Sequence, residues 1–487
     1  MSDVATKAQT FSNELDVYVN QEKAAVDLQN SIGRLLFEKS IELVLFRNHL
    51  VDITVTDILR LHSYAVKVVG KPISVFDSAD LARALFEMDL APAKIDIGKL
   101  ANEWHKERES YNSMEAFLES KLSNFMLADA DPLEPRDVVL FGFGRIGRLC
   151  ARELIKQSGK GQQLRLRAIV TRSIDEKSLT KRASLFETDS VHGRFKGTVE
   201  TDFSDMSLIV NGQRVKMITG SDPTKIDYTS HGINNALLID NTGVFKDKEA
   251  LGQHLKSNGI NKVLLTAPGA GIPNIVYGIN HRDLNLETTD IYSAASCTTN
   301  AISPVLKIVN DNFGVEKGHI ETVHAYTNDQ NLLDNMHKKH RRGRSAAVNM
   351  VITETGAGKA VTKVIPDLEN KLTANAVRVP TPNGSLAIMH LNLNKKTNMD
   401  EVQSILKSSA LHGDLVNQVF YSINPELVSN DIIGNECCAV VDSPATIVSP
   451  DGKSIVLYVW YDNEFGYTKQ VIRLAKFVAK VRRNIYY

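Results

Sequence analysis

Residues 138–147 read Val-Val-Leu-Phe-Gly-Phe-Gly-Arg-Ile-Gly, a short apolar run followed by glycines in Gly-x-Gly-x-x-Gly spacing. Gly142, Gly144 and Gly147 let the backbone turn tightly and come close to a pyrophosphate. A helix opening at Arg145 and Ile146 then offers it unpaired N–H groups. Such a motif belongs at a strand-to-helix turn of a parallel sheet, which restricts the chain to an α/β architecture. The pattern downstream agrees, with strand-like runs at 164–170, 236–240 and 262–266 separated by helical stretches. From Gly318 onward, longer strand-like runs at 319–326, 386–393 and 455–461 alternate with amphipathic helices and predict a second, α+β domain. A final helix is expected over 467–483, from the spacing of Val471, Leu474, Ala475, Val478 and Val481.

The region before residue 130 follows a different rule. It is rich in Leu, Ala, Glu and Lys, with apolar residues at helical spacing in Ile32, Leu35, Leu36, Ile41, Val44, Leu45 and again in Leu81, Leu85, Phe86. Thr56 or Asp57, Ser78 and Ser113 are candidate N-caps, and Gly70-Lys71-Pro72 and Ala91-Pro92 are breaks. An all-helical module is therefore expected over 1–132, joined by the polar connector from Ala130 to Arg136 to a domain of residues 133–296 plus 463–487 and another of 297–462. The module shows no nucleophile, metal-ligand or phosphate-binding pattern; it could cap or join a tetramer, regulate access to the nucleotide cleft or only stabilise the chain, and oligomerisation or docking is the expected role.

With 487 residues, 43% of them hydrophobic, the chain has material for about three domains. Its 57 basic and 57 acidic residues balance, which argues against obligate nucleic-acid binding or attachment to an anionic membrane. The N-terminus lacks the apolar core of a secretory signal and no stretch is long enough to span a bilayer, so a cytoplasmic protein is expected. Cys150, Cys297, Cys437 and Cys438 do not form a disulfide framework. His337-Lys338-Lys339-His340 lacks the carboxylate a metal site would want, and no metal is expected.

One cysteine stands apart. Cys297 lies in Ala295-Ser296-Cys297-Thr298-Thr299-Asn300, directly before an apolar run that reads as a helix, and His324 follows in Thr322-Val323-His324-Ala325-Tyr326-Thr327. A thiolate is stabilised by helix N–H groups and by an imidazole that can also carry a proton, so this pairing points to covalent catalysis, with the position lowering the thiol pKa.

These blocks, with Asp189-Ser190-Val191-His192-Gly193, Val379-Pro380-Thr381-Pro382-Asn383 and Trp460-Tyr461-Asp462-Asn463-Glu464, occur in the order of the phosphorylating glyceraldehyde-3-phosphate dehydrogenases, which the chain resembles over about 136–487. The resemblance implies a Rossmann-type doubly wound NAD(P)-binding domain and an α+β catalytic domain. It implies oxidation of glyceraldehyde 3-phosphate with inorganic phosphate, in glycolysis or, reversed, in gluconeogenesis, by a homotetramer. Cys297 would be the nucleophile and His324 the base. Arg378 with Thr327 and Asp329 would hold the substrate phosphate; Arg342, Thr355, Gly356, Ser296 and Thr298 would serve inorganic phosphate. Thr242-Gly243, Thr266 and Asn463 would flank the ribose and nicotinamide.

Departures from the family pattern carry their own consequences. Arg172 stands where the family has an aspartate for the ribose 2'-hydroxyl, and Asn335-Met336 replaces a Leu-Pro pair. Together they suggest acceptance of NADP, with Arg172 as a solvated surface charge the alternative. Phe141 replaces an asparagine before the first glycine. An erythrose-4-phosphate dehydrogenase is the neighbouring alternative; the other is a scaffold or RNA-binding role centred on the helical module.

Overall fold

The computed structural model describes residues 2–127 and 133–487, so residues 130–132 of the expected connector from Ala130 to Arg136 lie outside the described residues. The chain divides into two compact units. The first comprises Met1–Glu134, Ser158–Gln163 and Val481–Tyr487; the second comprises Pro135–Gln157 and Leu164–Lys480.

The expected helices of the first unit are present as Ser2–Lys39, Val55–Val69, Val75–Glu87, Ile97–Glu107 and Met114–Lys121. Two of their starts differ from expectation. Thr54 and Asp57 form a reciprocal capping box and Ser74 caps the next helix, whereas Ser113 caps as expected. Ser78 instead lies inside its helix, buried, bonded to His62 Nε2 at 2.9 Å.

To these helices the structure adds a four-stranded sheet in the order Asn48–His49, Glu42–Leu45, Ala93–Asp96, Asn484–Tyr486, so the unit is not purely helical. Val44 and Leu45 belong to one of its strands. A run of four buried positions, Glu42 followed by three apolar residues, has no period that separates strand from helix. The last strand comes from the far end of the chain. The C-terminal helix stops at Val478, Lys480 takes a left-handed backbone, and 481–487 join the first unit instead of continuing the helix expected to 483.

The second unit holds two large sheets. One has strands in the order Ile291–Ser293, Ile260–Leu265, Ala236–Asp240, Arg136–Phe141, Leu164–Thr171, Gln213–Thr219, Ser207–Val210, Val199–Asp202. Its first six strands run parallel and the last two are antiparallel. After Arg136–Phe141 the chain builds outward to one side through Leu164–Thr171, then returns to build the other side from Ala236–Asp240. Their carboxyl ends therefore diverge around a crevice, the usual ligand position in a Rossmann-like sheet.

The other sheet orders Val351–Thr353, Leu372–Val379, Val315–Ala325, Ser385–Leu393, Ser454–Tyr461, Ala439–Asp442, Val419–Ser422. Helix Cys297–Phe313 lies against it, burying Ile302, Val305, Leu306 and Val309 with Met389 and Leu457 of the sheet. Each such side chain contributes roughly 1.5–3 kcal/mol, enough to hold the first turn of that helix in place. Among the described residues no helix is long and apolar enough to cross a membrane.

Candidate active site

At the crevice of the parallel sheet, a cleft of about 530 Å3 is lined by Gly142, Gly144, Arg172, Asn241 and Thr242 among others. Helix Arg145–Lys156 opens onto it with no side chain capping Gly144, so its first N–H groups remain available. Gly142 has φ +100°, and a Cβ on Gly147 would lie 2.5 Å from the Gly142 carbonyl, so neither tolerates a side chain. Thr242 is fixed by Asp240 Oδ1, which accepts its N–H at 2.8 Å and its hydroxyl at 2.7 Å; Thr266 donates to the Asp240 carbonyl at 3.0 Å. Gly243 turns the following loop at φ +67°. These features fit a dinucleotide.

Arg145 and Ile146 contribute backbone at the helix start. The Arg145 side chain is committed elsewhere, pairing with Glu464 at 2.5 Å and Asp189 at 3.3 Å, while His192 Nε2 lies 2.9 Å from Glu464. Burial raises the Asp189 carboxyl, but the N–H groups of His192 and Val191 and the charge of Arg145 outweigh it and hold it down at about 2. This cluster ties the glycine-rich turn to the Trp460–Glu464 stretch, which explains in physical terms two motifs whose roles were not legible in sequence.

Cys297 is the first residue of its helix. Ser296 caps it by accepting the Thr299 N–H at 3.0 Å, and Ala295 before it is left-handed at φ +55°. Cys297 Sγ lies 3.7 Å from His324 Nε2. Across the parallel pairing of their strands, His324 sits directly opposite Arg378, and Arg378 faces Val351 on its other side. That register brings the Arg378 guanidinium 3.0 Å from His324 Nδ1 and 2.8 Å from the Ala325 carbonyl, which itself lies 2.7 Å from Nδ1. The neutral tautomer with Nδ1–H donating to Ala325 leaves a lone pair on Nε2, facing the sulfur.

Burial and the charge of Arg378 push His324 down to about 3, the Ala325 carbonyl opposing them. The imidazole is therefore neutral and able to accept a proton. Cys297 departs from the sequence expectation. Burial pushes its thiol up from the ordinary value, against the pull of Arg378 and of the Thr298 and Cys297 N–H groups. The helix position alone does not lower it.

Arg342 pairs with Asp329 and donates from Nε to Thr353 Oγ1 at 3.0 Å. Burial and the repulsion of Arg342 depress Arg378, whose Nε is shut from solvent without a partner among the described residues. Burial raises the Asp329 carboxyl, but Arg342 overrides it and keeps it low. Two guanidinium groups thus face one carboxylate beside the thiol, an arrangement that favours an added anion.

Thr355 accepts the Ala357 N–H at 3.2 Å, and Gly356 precedes helix Ala357–Thr362 with open space at its Cβ position. They follow strand Val351–Thr353, whose Thr353 contacts Arg342. The structure gives no side-chain bond joining Thr327 to Arg378; the Thr327 carbonyl accepts the Gln330 N–H at 2.9 Å. Ser296 and Thr298 are engaged within the protein, Ser296 with Thr299 and Thr298 with the Tyr461 hydroxyl at 3.1 Å.

Three supporting residues escaped the sequence reading. Tyr461 is fully buried, orders Thr298 and packs edge-on to the His324 ring at 5.9 Å. Ser385 accepts the Ala325 N–H at 3.1 Å and donates to Asn463 Oδ1 at 2.8 Å, which orients the Asn463 amide. Asp240 anchors Thr242 and Thr266. Tyr461 lay inside a recognised motif, but its partners are more than a hundred residues away.

Two family models match the chain, described as the glyceraldehyde 3-phosphate dehydrogenase NAD binding domain over residues 136–248 and the C-terminal domain over 296–463. A glyceraldehyde-3-phosphate dehydrogenase-like protein of Pseudomonas aeruginosa is 48% identical over 454 residues, covering 92% of this chain and 98% of its own length. Glyceraldehyde-3-phosphate dehydrogenase of Clostridium pasteurianum is 38% identical over 351 residues, 71% of this chain and 99% of its own. Glyceraldehyde-3-phosphate dehydrogenase 1 of Bacillus subtilis is 38% identical over 340 residues, 70% of this chain and 97% of its own. The Pseudomonas alignment is too long to be contained in 136–487, so it extends into the N-terminal unit.

Proposed function

The chain belongs to the glyceraldehyde-3-phosphate dehydrogenase family, and from that premise we propose that it oxidises D-glyceraldehyde 3-phosphate with NAD(P) and inorganic phosphate to 1,3-bisphosphoglycerate. The family makes it an NAD-dependent oxidoreductase; the aldehyde, the acyl-phosphate product and the use of NADP are the proposal. The observation that carries it is the 3.7 Å approach of Cys297 Sγ to a neutral His324 Nε2 at a helix start, with Arg342 and Arg378 alongside.

Cys297 passes its proton to His324 as its sulfur adds to the aldehyde carbon, giving a hemithioacetal. His324 returns that proton to the developing oxyanion to complete the hemithioacetal hydroxyl, and takes it back as the hydride leaves. The glycine-rich turn would hold the pyrophosphate of a dinucleotide, with Thr242 and Asn463 flanking its ribose and nicotinamide, and the ring, when bound, would supply the acceptor for the hydride that leaves the same carbon. Cys297 is left as a thioester; an oxygen of inorganic phosphate attacks its carbonyl and displaces the sulfur, releasing the acyl phosphate, and the proton held on His324 restores the thiol. Arg378 and Arg342 hold the anionic groups. Because Arg378 disfavours the imidazolium, His324 returns each proton readily.

Leu332, Leu333, Met336, Val348 and Met350, each at least 74% exposed, crowd one segment of the catalytic domain. This apolar surface supports a homo-oligomer, which the family commonly forms.

Initial rates with glyceraldehyde 3-phosphate and each dinucleotide, with and without inorganic phosphate, test the reaction. Phosphate-dependent turnover is expected. Phosphate-independent oxidation, or preference for erythrose 4-phosphate, would overturn the substrate and product. Cys297→Ser should still bind dinucleotide while losing nearly all oxidation; substantial residual turnover would exclude the thioester.

A further inference from the structure

The far end of the dinucleotide cleft is lined by two cationic side chains. Arg172 follows strand Leu164–Thr171 and is exposed, with no hydrogen bond or ion pair among the described residues. Arg182 reaches the same cleft from helix Glu176–Glu187, ten residues further on. Nothing about the residue type at 182 identified it in sequence, since a basic side chain on an amphipathic helix reads as a solvated face.

In the structure Arg182 is half-buried. Its Nη2 donates to the Ser173 carbonyl at 3.2 Å, in the same loop as Arg172, and its Nε is shut from solvent with no partner among the described residues. Asp175, whose charge acts on Arg182, is occupied as the helix cap, accepting the Ser178 N–H at 2.7 Å. No acidic residue lines the cleft.

A ribose 2'-hydroxyl wants a carboxylate acceptor at this end of the cleft, and none lines it. A 2'-phosphate is a tetrahedral dianion with three terminal oxygens, suited to two guanidinium groups lining one cleft, one adaptable on a loop and one set by a helix. We propose that Arg182 is a second specificity-determining residue, forming with Arg172 a clamp for the 2'-phosphate of an adenine dinucleotide. This rests on the reading of Arg172 as a cofactor contact and adds the residue that gives the contact a fixed geometry. The helix holds Arg182 and Ser173 keeps its fork turned towards the loop, so Arg172 closes on a phosphate already oriented.

Equilibrium binding of 2',5'-ADP and of 5'-AMP by calorimetry tests this on the full chain without turnover. The wild-type protein should bind 2',5'-ADP more tightly. Arg182→Ala should weaken 2',5'-ADP on the order of 10- to 100-fold, the usual effect of losing a charged hydrogen-bonding partner, and change 5'-AMP less than about twofold. Arg182→Lys, which keeps the charge and loses the fork, should fall between. Equal loss of both ligands in Arg182→Ala would overturn the proposal by showing a structural role for the side chain. Unchanged 2',5'-ADP binding in Arg182→Ala, with a large loss in Arg172→Ala, would overturn Arg182 alone. No preference for 2',5'-ADP in the wild-type protein would overturn the Arg172 reading itself.

Discussion

Replacing His324 with Asn separates its charge state from its place in the fold. The ring is 6% exposed, and burial followed by the charge of Arg378 holds it at about 3, below the ordinary 6.5. On unfolding the imidazole returns to water and takes up a proton wherever the pH lies below its ordinary pKa. Between the two values the unfolded chain therefore binds more protons than the folded one, so stability rises with pH across this window. The contribution is fully present above the ordinary pKa and is lost as the pH falls towards the folded value.

Each pH unit below the ordinary pKa removes about 1.4 kcal/mol, so near pH 5 this one group costs ~2 kcal/mol per chain. Asn cannot titrate, yet its amide N–H still reaches towards the Ala325 carbonyl that faces His324 Nδ1 at 2.7 Å. Urea unfolding followed by circular dichroism, at about pH 7.5 and about pH 5, gives the pH-dependent loss for each protein. The His324→Asn loss should be smaller than the wild-type loss by ~2 kcal/mol. Identical losses in the two proteins would refute a neutral His324 and remove the base from the proposed reaction.

Two further outcomes follow from buried polar pairs. Tyr461→Phe removes the 3.1 Å bond that satisfies the buried Thr298 hydroxyl, and should cost about 1–2 kcal/mol in thermal or urea unfolding; unchanged stability would mean that the pair carries no net energy. Lys469 and Glu153, each with a side chain 2% exposed and 2.5 Å apart, join helices Phe465–Val478 and Arg145–Lys156. Lys469→Met should destabilise by about 3–5 kcal/mol by stranding the carboxylate, and adding Glu153→Leu should restore most of it in the same unfolding assay.

Local chemistry was readable directly. The strand, glycine turn and helix from Arg136 to Lys156 emerge close to their expected limits because apolar run, glycine spacing and helical period all act within a few residues. The same holds for Ser113 as a cap and for Cys297 as a helix start. The strand Glu42–Leu45 was not separable from a helix, since four buried positions satisfy either period. Strand Asn484–Tyr486 was hidden for another reason. Its partner Ala93–Asp96 lies nearly four hundred residues earlier, and no local pattern in 481–487 names it.

For the active site the division is similar. The sequence by itself determined the residue types and their order: a thiol before a helix, a histidine on a strand, arginines further along the chain, and a dinucleotide turn with Arg172 in place of an acid. Only the tertiary structure decided their electrical state. Parallel pairing set Arg378 opposite His324, burial outweighed the helix N-terminus at Cys297, and Glu464 with Asp189 drew Arg145 away from the cleft. Charge states depend on desolvation and on neighbours brought from distant segments, quantities that residue order does not contain.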